Sequence, residues 1–341
     1  MAKDDNRFKS SIELIMLVLK SEITIGNLRF DYVTNVSINS SWETLTDTAV
    51  IELPTNITNQ DNEFIKDKIN VNDEVTIKIG YAPNLTTRFV GYVSKIIPES
   101  PLKIMCEDEA FVLKQKTINN YSKDNVTLET LISDNYEGEA VVSDANLGSW
   151  RIDRVTLVKV LQELRNKYKL RSWFRDGILY SGLTNIQGQG TTHEFSFQRT
   201  IIDGSDLQAT DENELNTIAH GISEHPDGKN IELYSYYKTG TTGEIVTAEG
   251  DPGGDLNTIK VPKITKERLQ EILERWLPNL YYTGFKGTFE TFGEPVVLHG
   301  DIVKLEDLKF PEKDGSYLVK SVSVMFGQGG YKQVIEPFRS V

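Results

Sequence analysis

The sequence predicts a mainly β protein with α+β parts: a β module in each half of the chain, with a small α/β segment between them. Three observations carry that prediction. From Val71 to Val93 the chain reads as a complete strand, turn, strand unit. In it Val75, Ile77 and Ile79 alternate with Glu74, Thr76 and Lys78, the period of a strand with one dry and one wet face. Asn72-Asp73-Glu74-Val75-Thr76-Ile77 has a partial echo in Gly300-Asp301-Ile302-Val303-Lys304-Leu305, each a turn, an Asp and an alternating strand. Between about Thr117 and Gly182 the apolar spacing shifts toward that of helices.

Taken in order, residues 1–22 begin polar at Lys3 to Arg7, turn apolar from Ile12, and are expected to form an N-terminal tip and lead-in strand. A first β module is expected over 23–116. Ile23 and Ile25 approach a turn at Gly26-Asn27, and Tyr32, Val36 and Ile38 share one face. Ala49, Ile51 and Leu53 share another, ended by Pro54, which cannot donate to a ladder. Asn56 to Lys68 suits a loop or short helix. The central hairpin follows, turning at Gly80 to Asn84 into Phe89–Ile97, and Leu102, Ile104 and Cys106 alternate on the next strand.

Residues 117–185 read as the α/β insertion. Leu128, Leu131 and Ile132 mark a short helix. Leu157, Val160, Leu161, Leu164 and Tyr168 form the apolar stripe of a longer one behind Thr156 as N-cap. Asp176-Gly177 is a two-residue hairpin turn between Arg171–Phe174 and Ile178–Tyr180. The second β module is expected over 186–341, with strands around Phe195, Leu215–Ile222 and Ile231–Tyr237 and a Gly- and Thr-rich loop at Gly240–Gly254. An inserted amphipathic helix at about 265–278 carries Leu269, Ile272, Leu273, Trp276 and Leu277 and is closed by Pro278. The tail returns to β through Phe285–Phe292, the Val303 strand, Tyr317 to Phe326, and Tyr331 to Glu336 after the Gly327–Gly330 turn.

At 341 residues the chain has room for two or three domains. Its 50 acidic and 37 basic residues give a net charge of -13, which opposes attraction to phosphate backbones and anionic lipid and argues against sequence-specific nucleic-acid binding. The longest apolar run, Leu14 to Leu19, is far short of a membrane span, and no cleavable leader precedes it; a soluble, unsecreted protein is expected. The single cysteine, Cys106, reads as a buried inert thiol.

Motifs for chemistry are sparse. The sequence holds no G-x-S-x-G elbow, phosphate loop, complete dinucleotide fingerprint or H-E-x-x-H pair. The glycine sets Gly188-Gln189-Gly190 and Gly327–Gly330 lack the following helix that would place a phosphate, and read as turns. His193, His220, His225 and His299 lack metal-ligand spacing and read as surface or turn histidines. Glu107/Asp108 and Asp211/Glu212 are adjacent acids of the kind a glycosidase needs, but adjacency is expected by chance among so many carboxylates. Asp251 to Asn257 offers oxygen ligands without the spacing or closing Glu of a calcium loop, and Tyr234, Tyr236 and Tyr237 fit either sheet packing or an interface. No catalytic, cofactor-binding or metal residue is assigned, and no cofactor is implied.

Two groups of short matches carry a resemblance. The first includes Leu45-Thr46-Asp47-Thr48-Ala49-Val50-Ile51-Glu52-Leu53-Pro54, Gly80-Tyr81, Phe89-Val90-Gly91-Tyr92-Val93 and Cys106-Glu107-Asp108. The second includes Gly284-Phe285-Lys286-Gly287-Thr288-Phe289, Gly293-Glu294-Pro295, His299-Gly300-Asp301-Ile302-Val303, Gly315-Ser316-Tyr317-Leu318-Val319 and Gly329-Gly330-Tyr331-Lys332-Gln333-Val334-Ile335. Together they resemble the baseplate hub proteins of contractile phage tails, the late-control-protein-D type, related to the hub part of type VI secretion spikes. The likeness spans about Ile23 to Phe338 and is weakest from Gly182 to Gly254.

The resemblance implies two related β-barrel domains joined by α/β elements, and a homotrimer whose six barrels continue the sixfold tail tube and hold the threefold central spike around a channel. Implied partners are the tail tube ring, the central spike and other baseplate proteins, in a virion tail baseplate made in the bacterial host cytoplasm. No membrane insertion by this chain is implied. With the chain ending at Val341, spike and lytic enzyme are expected on separate chains. The acidic balance suits a conduit, since carboxylates on a lumen repel passing DNA. Alternatives are the same hub in a type VI or extracellular contractile injection system, and a cell-wall-active enzyme or carbohydrate-binding module.

Overall fold

A computed structural model of the chain describes residues 18–54, 65–182, 190–212, 215–225, 227–238 and 243–341. The expected N-terminal tip up to position 17, most of Asn56–Lys68, and Gly188-Gln189 lie outside the described residues. The chain is mainly β, with four α-helices among the described residues.

The first module contains β1 (Leu19–Ile25), β2 (Leu28–Phe30), β3 (Asn35–Ser41), β4 (Thr48–Leu53), β5 (Glu74–Tyr81), β6 (Thr86–Ile97) and β7 (Leu102–Glu107). Their spatial order is β3-β4-β7-β6-β5-β1-β2, each pair antiparallel. The alternation reads through to burial: Val36, Ile38, Ala49, Ile51, Leu53, Val75, Ile77, Ile79, Leu102, Ile104 and Cys106 face one core. Tyr32 departs from the expected face and is 86 % exposed, because the chain bends ahead of β3 and extends only from Asn35.

The insertion begins with α1 (Ala110–Gln115), β8 (Thr117–Ile118), β9 (Tyr121–Thr127) and α2 (Leu128–Asn135). It continues through β10 (Ala140–Val142), β11 (Asn146–Ile152), β12 (Val155–Thr156), α3 (Leu157–Tyr168), β13 (Arg171–Arg175) and β14 (Ile178–Gly182). Thr127 caps α2 by accepting from Thr130 N. Thr156 holds the N-cap position of α3, yet its hydroxyl makes no capping bond. Asp176 and Gly177 have φ of +53° and +79°, as a two-residue hairpin turn of the right hand requires.

The second half contains β15 (Thr192–Ser196), β16 (Ile201–Asp203), β17 (Gln208–Thr210), β18 (Thr217–Glu224), β19 (Ile231–Tyr237), β20 (Ile245–Ala248), β21 (Asp255–Pro262) and α4 (Lys266–Trp276). It closes with β22 (Gly284–Lys286), β23 (Phe289–Phe292), β24 (Ile302–Glu306), β25 (Gly315–Gly327) and β26 (Gly330–Ser340). Here the element inserted in the second module is larger than the expected helix. Strands β18 to β21 form a four-stranded sheet that carries α4, and β20 lies inside the stretch expected as a loop. Ala219, Leu233, Ile259, Leu269 and Ile272 join Leu131, Val160, Leu161 and Leu164 in a second core, so the two insertions pack on each other.

The two β modules repeat one another. The order β3-β4-β7-β6-β5-β1 is matched by β16-β23-β26-β25-β24-β15, with β17 and β22 extending β16 and β23 beyond an interruption. One edge differs: β1 runs antiparallel to β5, whereas β15 runs parallel to β24. The equivalence reaches individual bonds. Asn72 N donates to Val93 O (2.9 Å) and Val93 N to Asp73 O (2.9 Å), as Gly300 N donates to Val319 O (2.8 Å) and Val319 N to Asp301 O (2.8 Å). The Asp73 carboxylate accepts from Asn70 N (2.8 Å) and that of Asp301 from Leu298 N (3.0 Å). Asn72 and Gly300, at φ +78° and +83°, supply the same left-handed step. A bulge follows at once in both copies, between Val93 and Lys95 and between Val319 and Ser321.

The modules are joined edge to edge. β25 pairs with β3 over seven residues, from Ser321↔Ser41 to Gly327↔Asn35, so a single 15-stranded sheet runs through both, and their apolar faces share one core.

Candidate functional site

Several buried polar groups converge at the junction of the two modules, among them Arg88, Asp108, His299, Asp301 and Gln333. Trp42, just beyond β3, donates its indole N–H to Val319 O (3.0 Å), and Ser41 Oγ donates to Lys320 O (3.2 Å). The Arg171 guanidinium lies 4.6 Å from the Trp42 ring centre and donates to Glu43 (2.9 Å); Lys320 bridges Glu336 (2.7 Å) and Glu43 (3.4 Å). These contacts bind the β13–β14 hairpin of the insertion onto the junction. From β6, the buried Arg88 reaches into the second module and donates to Tyr331 Oη (2.8 Å), Gly293 O (3.2 Å) and Gln333 Oε1 (3.4 Å). A cation buried on acceptors from the other module fixes how the two sit, because parting them would leave those groups unsatisfied.

A cavity of about 390 Å³ opens here, between Ile38, Val322 and Val324 of the shared sheet, Arg88, the Arg175–Gly177 turn and the Val297–His299 segment. Asp47, Asp108 and Glu109 line it. Asp108 accepts from Asp47 N (2.9 Å) and Ala110 N (3.0 Å), and Asp47 from Ser41 N (3.1 Å), so both carboxyls serve backbone turns and the start of α1. Burial pushes Asp47 up to about 6, against its bonds to Ser40 and Ser41. Burial and the nearby Asp47 push Asp108 well above the carboxylate range. Burial holds His299 down at about 4, with the Arg175 cation adding to it. Behind the lining residues Arg175 and Leu298 sits Asp301, which accepts from His193 Nε2 (3.0 Å), Thr191 N (3.2 Å) and Arg175 (3.3 Å) besides Leu298 N.

The remaining candidates are dispersed. Asp108 is buried while Glu107 points outward to Lys114, so that pair does not converge, and Asp211/Glu212 lies on the surface beside Thr283. Asp251 accepts from Gly253 N (2.8 Å) in a tight turn, and Asp255–Asn257 begins β21. Among the described residues no group of three or more His, Cys, Asp or Glu side chains is placed to hold a metal. Cys106 is buried, which pushes its thiol up to about 12. The histidines correct the surface reading: His220 and His299 are buried and the His193 side chain is 10 % exposed, while His225 bonds Ser223. Tyr234 stacks on His220 at 4.4 Å and Tyr237 packs on Tyr281 at 4.5 Å, so both find partners within the chain. Asp47, Arg88 and Trp42 carried no motif; only their placement beside the repeated strands would have singled them out.

On the outer face of the continuous sheet Met105, Met325 and Phe292 are exposed. Met105, Val50, Ser37, Met325, Lys332 and Phe292 stand in one register row across six strands, spanning both modules. The next row holds Glu107, Thr48, Asn39, Ser323, Val334 and Glu290.

Neither protein-family models nor curated proteins give a match to this sequence. Solved structures do. A tail protein from Neisseria meningitidis is similar with a TM-score of 0.64 at 13 % identity, over 94 % of this chain and 96 % of that one. The 43 kDa tail protein of prophage MuSo2 from Shewanella oneidensis gives 0.63 at 14 %, over 94 % and 98 %. An E. coli component of the type VI secretion system, described as structurally similar to the T4 tail proteins gp27 and gp5, gives 0.52 at 8 %, over 94 % and 77 %. The chain therefore has the fold of phage tail proteins, shared with type VI secretion components.

Proposed function

We propose that this chain is a structural baseplate hub of a contractile phage tail: a homotrimer that adapts the sixfold tail tube to the threefold central spike and surrounds part of the channel. The carrying observation is the repeated module. Three copies of a chain with two equivalent β modules present six similar units, which is what a threefold object needs to seat a sixfold ring. The edge-to-edge junction supports this, since Arg88, Trp42 and the shared sheet hold the two modules in one fixed relation. We place the channel on the open face of the continuous sheet, whose centre carries Ser37, Asn39 and Ser323. On this reading the chain is not an enzyme and works beside tube, spike and other baseplate proteins in the virion tail. The likeness to type VI components supports a second reading, the same hub in a secretion or extracellular injection device.

Sedimentation of the purified chain over a concentration series, with negative-stain images, tests the proposal. A species of three copies forming a ring is expected. A monomer at every concentration, together with release of fragments from purified peptidoglycan, would replace the hub by a cell-wall enzyme.

A further inference from the structure

The edges paired at the junction inside the chain have counterparts on the two modules that pair with no strand among the described residues. In the second module, β25 is longer than its pairing with β24 requires, and its far segment, Ser321–Ser323, takes up Ser41, Ser40 and Asn39 of β3. The first module has the same arrangement, with no strand in that place among the described residues. By the shared bulge, Lys95, Ile96 and Ile97 of β6 correspond to Ser321, Val322 and Ser323: Lys95↔Met105 and Ile96↔Ile104 match Ser321↔Glu336 and Val322↔Ile335. β6 pairs with β5 only as far as Tyr92, so among the described residues no strand pairs with the outer edge of 95–97.

The counterpart of the β3 end is β17. Asn39 of β3 pairs with Thr48, at the start of β4; Gln208 pairs with Lys286, at the same place on the β22–β23 pair that replaces β4. β17 pairs with β22 alone among the described residues, and Gln208 and Ala209 are exposed. These two edges, one on each module and both without a partner strand among the described residues, are the equivalents of two edges that are paired within the chain.

We infer that β17 of one copy pairs antiparallel with Lys95–Ile97 of a second copy, in the register Ile97↔Gln208, Ile96↔Ala209 and Lys95↔Thr210. The contact is heterologous, and repeated three times it closes a ring in which every module meets its neighbour through the same pair of strands. It has three residue pairs where the internal junction has seven, so the ring is the weaker bond and forms with concentration. The inference rests on the hub reading, whose trimer it specifies.

Cysteines at Lys95 and Thr210, both predicted to stand opposite each other on the open face, test it. The double variant K95C/T210C, oxidised while sedimentation follows the same sample, is expected to run as a covalent trimer on a non-reducing gel. The control K95C/A209C, which places the thiols on opposite faces, is expected to stay largely uncross-linked. A trimer in sedimentation without a K95C/T210C cross-link overturns this contact and leaves the hub standing. Equal cross-linking of both variants also overturns it. A monomer at every concentration with no cross-link removes both the contact and the trimer.

Discussion

Asp47 lies 4.0 Å from the His299 ring, with 18 % of its side chain exposed, inside a wall that also carries Asp108, Glu109 and the Arg88 and Arg175 cations. Its carboxyl is raised from 3.8 to about 6 by burial. Between those two values the folded chain holds a proton that the unfolded chain has released, so this stabilisation is present at low pH and lost as pH rises through about 6. Replacing Asp47 by Asn removes the titration. The variant is expected to be at least as stable as the parent at neutral pH, and the fall in melting temperature between about pH 4 and pH 7 is expected to shrink. The shift corresponds to at most about 3 kcal/mol, less what partial exposure screens away. An unchanged pH profile of thermal unfolding would show that Asp47 is ionised as in water. None of this was legible in the sequence: Cys106 announced its burial by alternating with Leu102 and Ile104, whereas a lone Asp ahead of a strand looks the same buried or wet.

Elements with a clear period were readable, and those without one were not. The Asp176-Gly177 hairpin, α3, α4 and the strands with buried Val75, Ile77 and Ile79 follow local rules that tertiary contacts only reinforce. β20 escaped because Ile245–Ala248 is short and flanked by glycine and threonine, although the strand it pairs with, β19, directly precedes it in the chain. The packing of α4 on β18 offers a test at this scale. Gly221 has no side chain because a Cβ there would stand 2.7 Å from Leu269 Cδ1 and about 3.0 Å from Leu273. G221V is expected to lower stability by about 1–3 kcal/mol through overpacking, read as an earlier midpoint in urea. An unaltered midpoint would mean that helix and sheet can part at little cost.

At the scale of the whole molecule, the echo between Asn72-Asp73 and Gly300-Asp301 turned out to be the visible tip of a duplication. Its remainder lies in strand order and bulge position, which different sequences satisfy equally well as long as the apolar face is kept. The edge-to-edge junction had no sequence signal, since β3 and β25 are some 280 positions apart. Placing the channel on the open sheet face has a direct test: lysines at Ser37 and Ser323 should hold passing DNA, slow its ejection, and lose that effect as salt is raised. Ejection unchanged by both would take the channel off this face.

The same pairing has a consequence during synthesis. Every strand of the first module has been synthesised once Glu107 is made, yet β3 keeps an unpaired edge until Gly327 follows. At roughly 5–20 residues per second, that edge waits on the order of 10–45 s. Asn35, Ser37, Asn39, Ser40 and Ser41 are poor strand formers with little apolar surface, a composition that keeps a nascent edge from seizing the wrong neighbour before its own arrives.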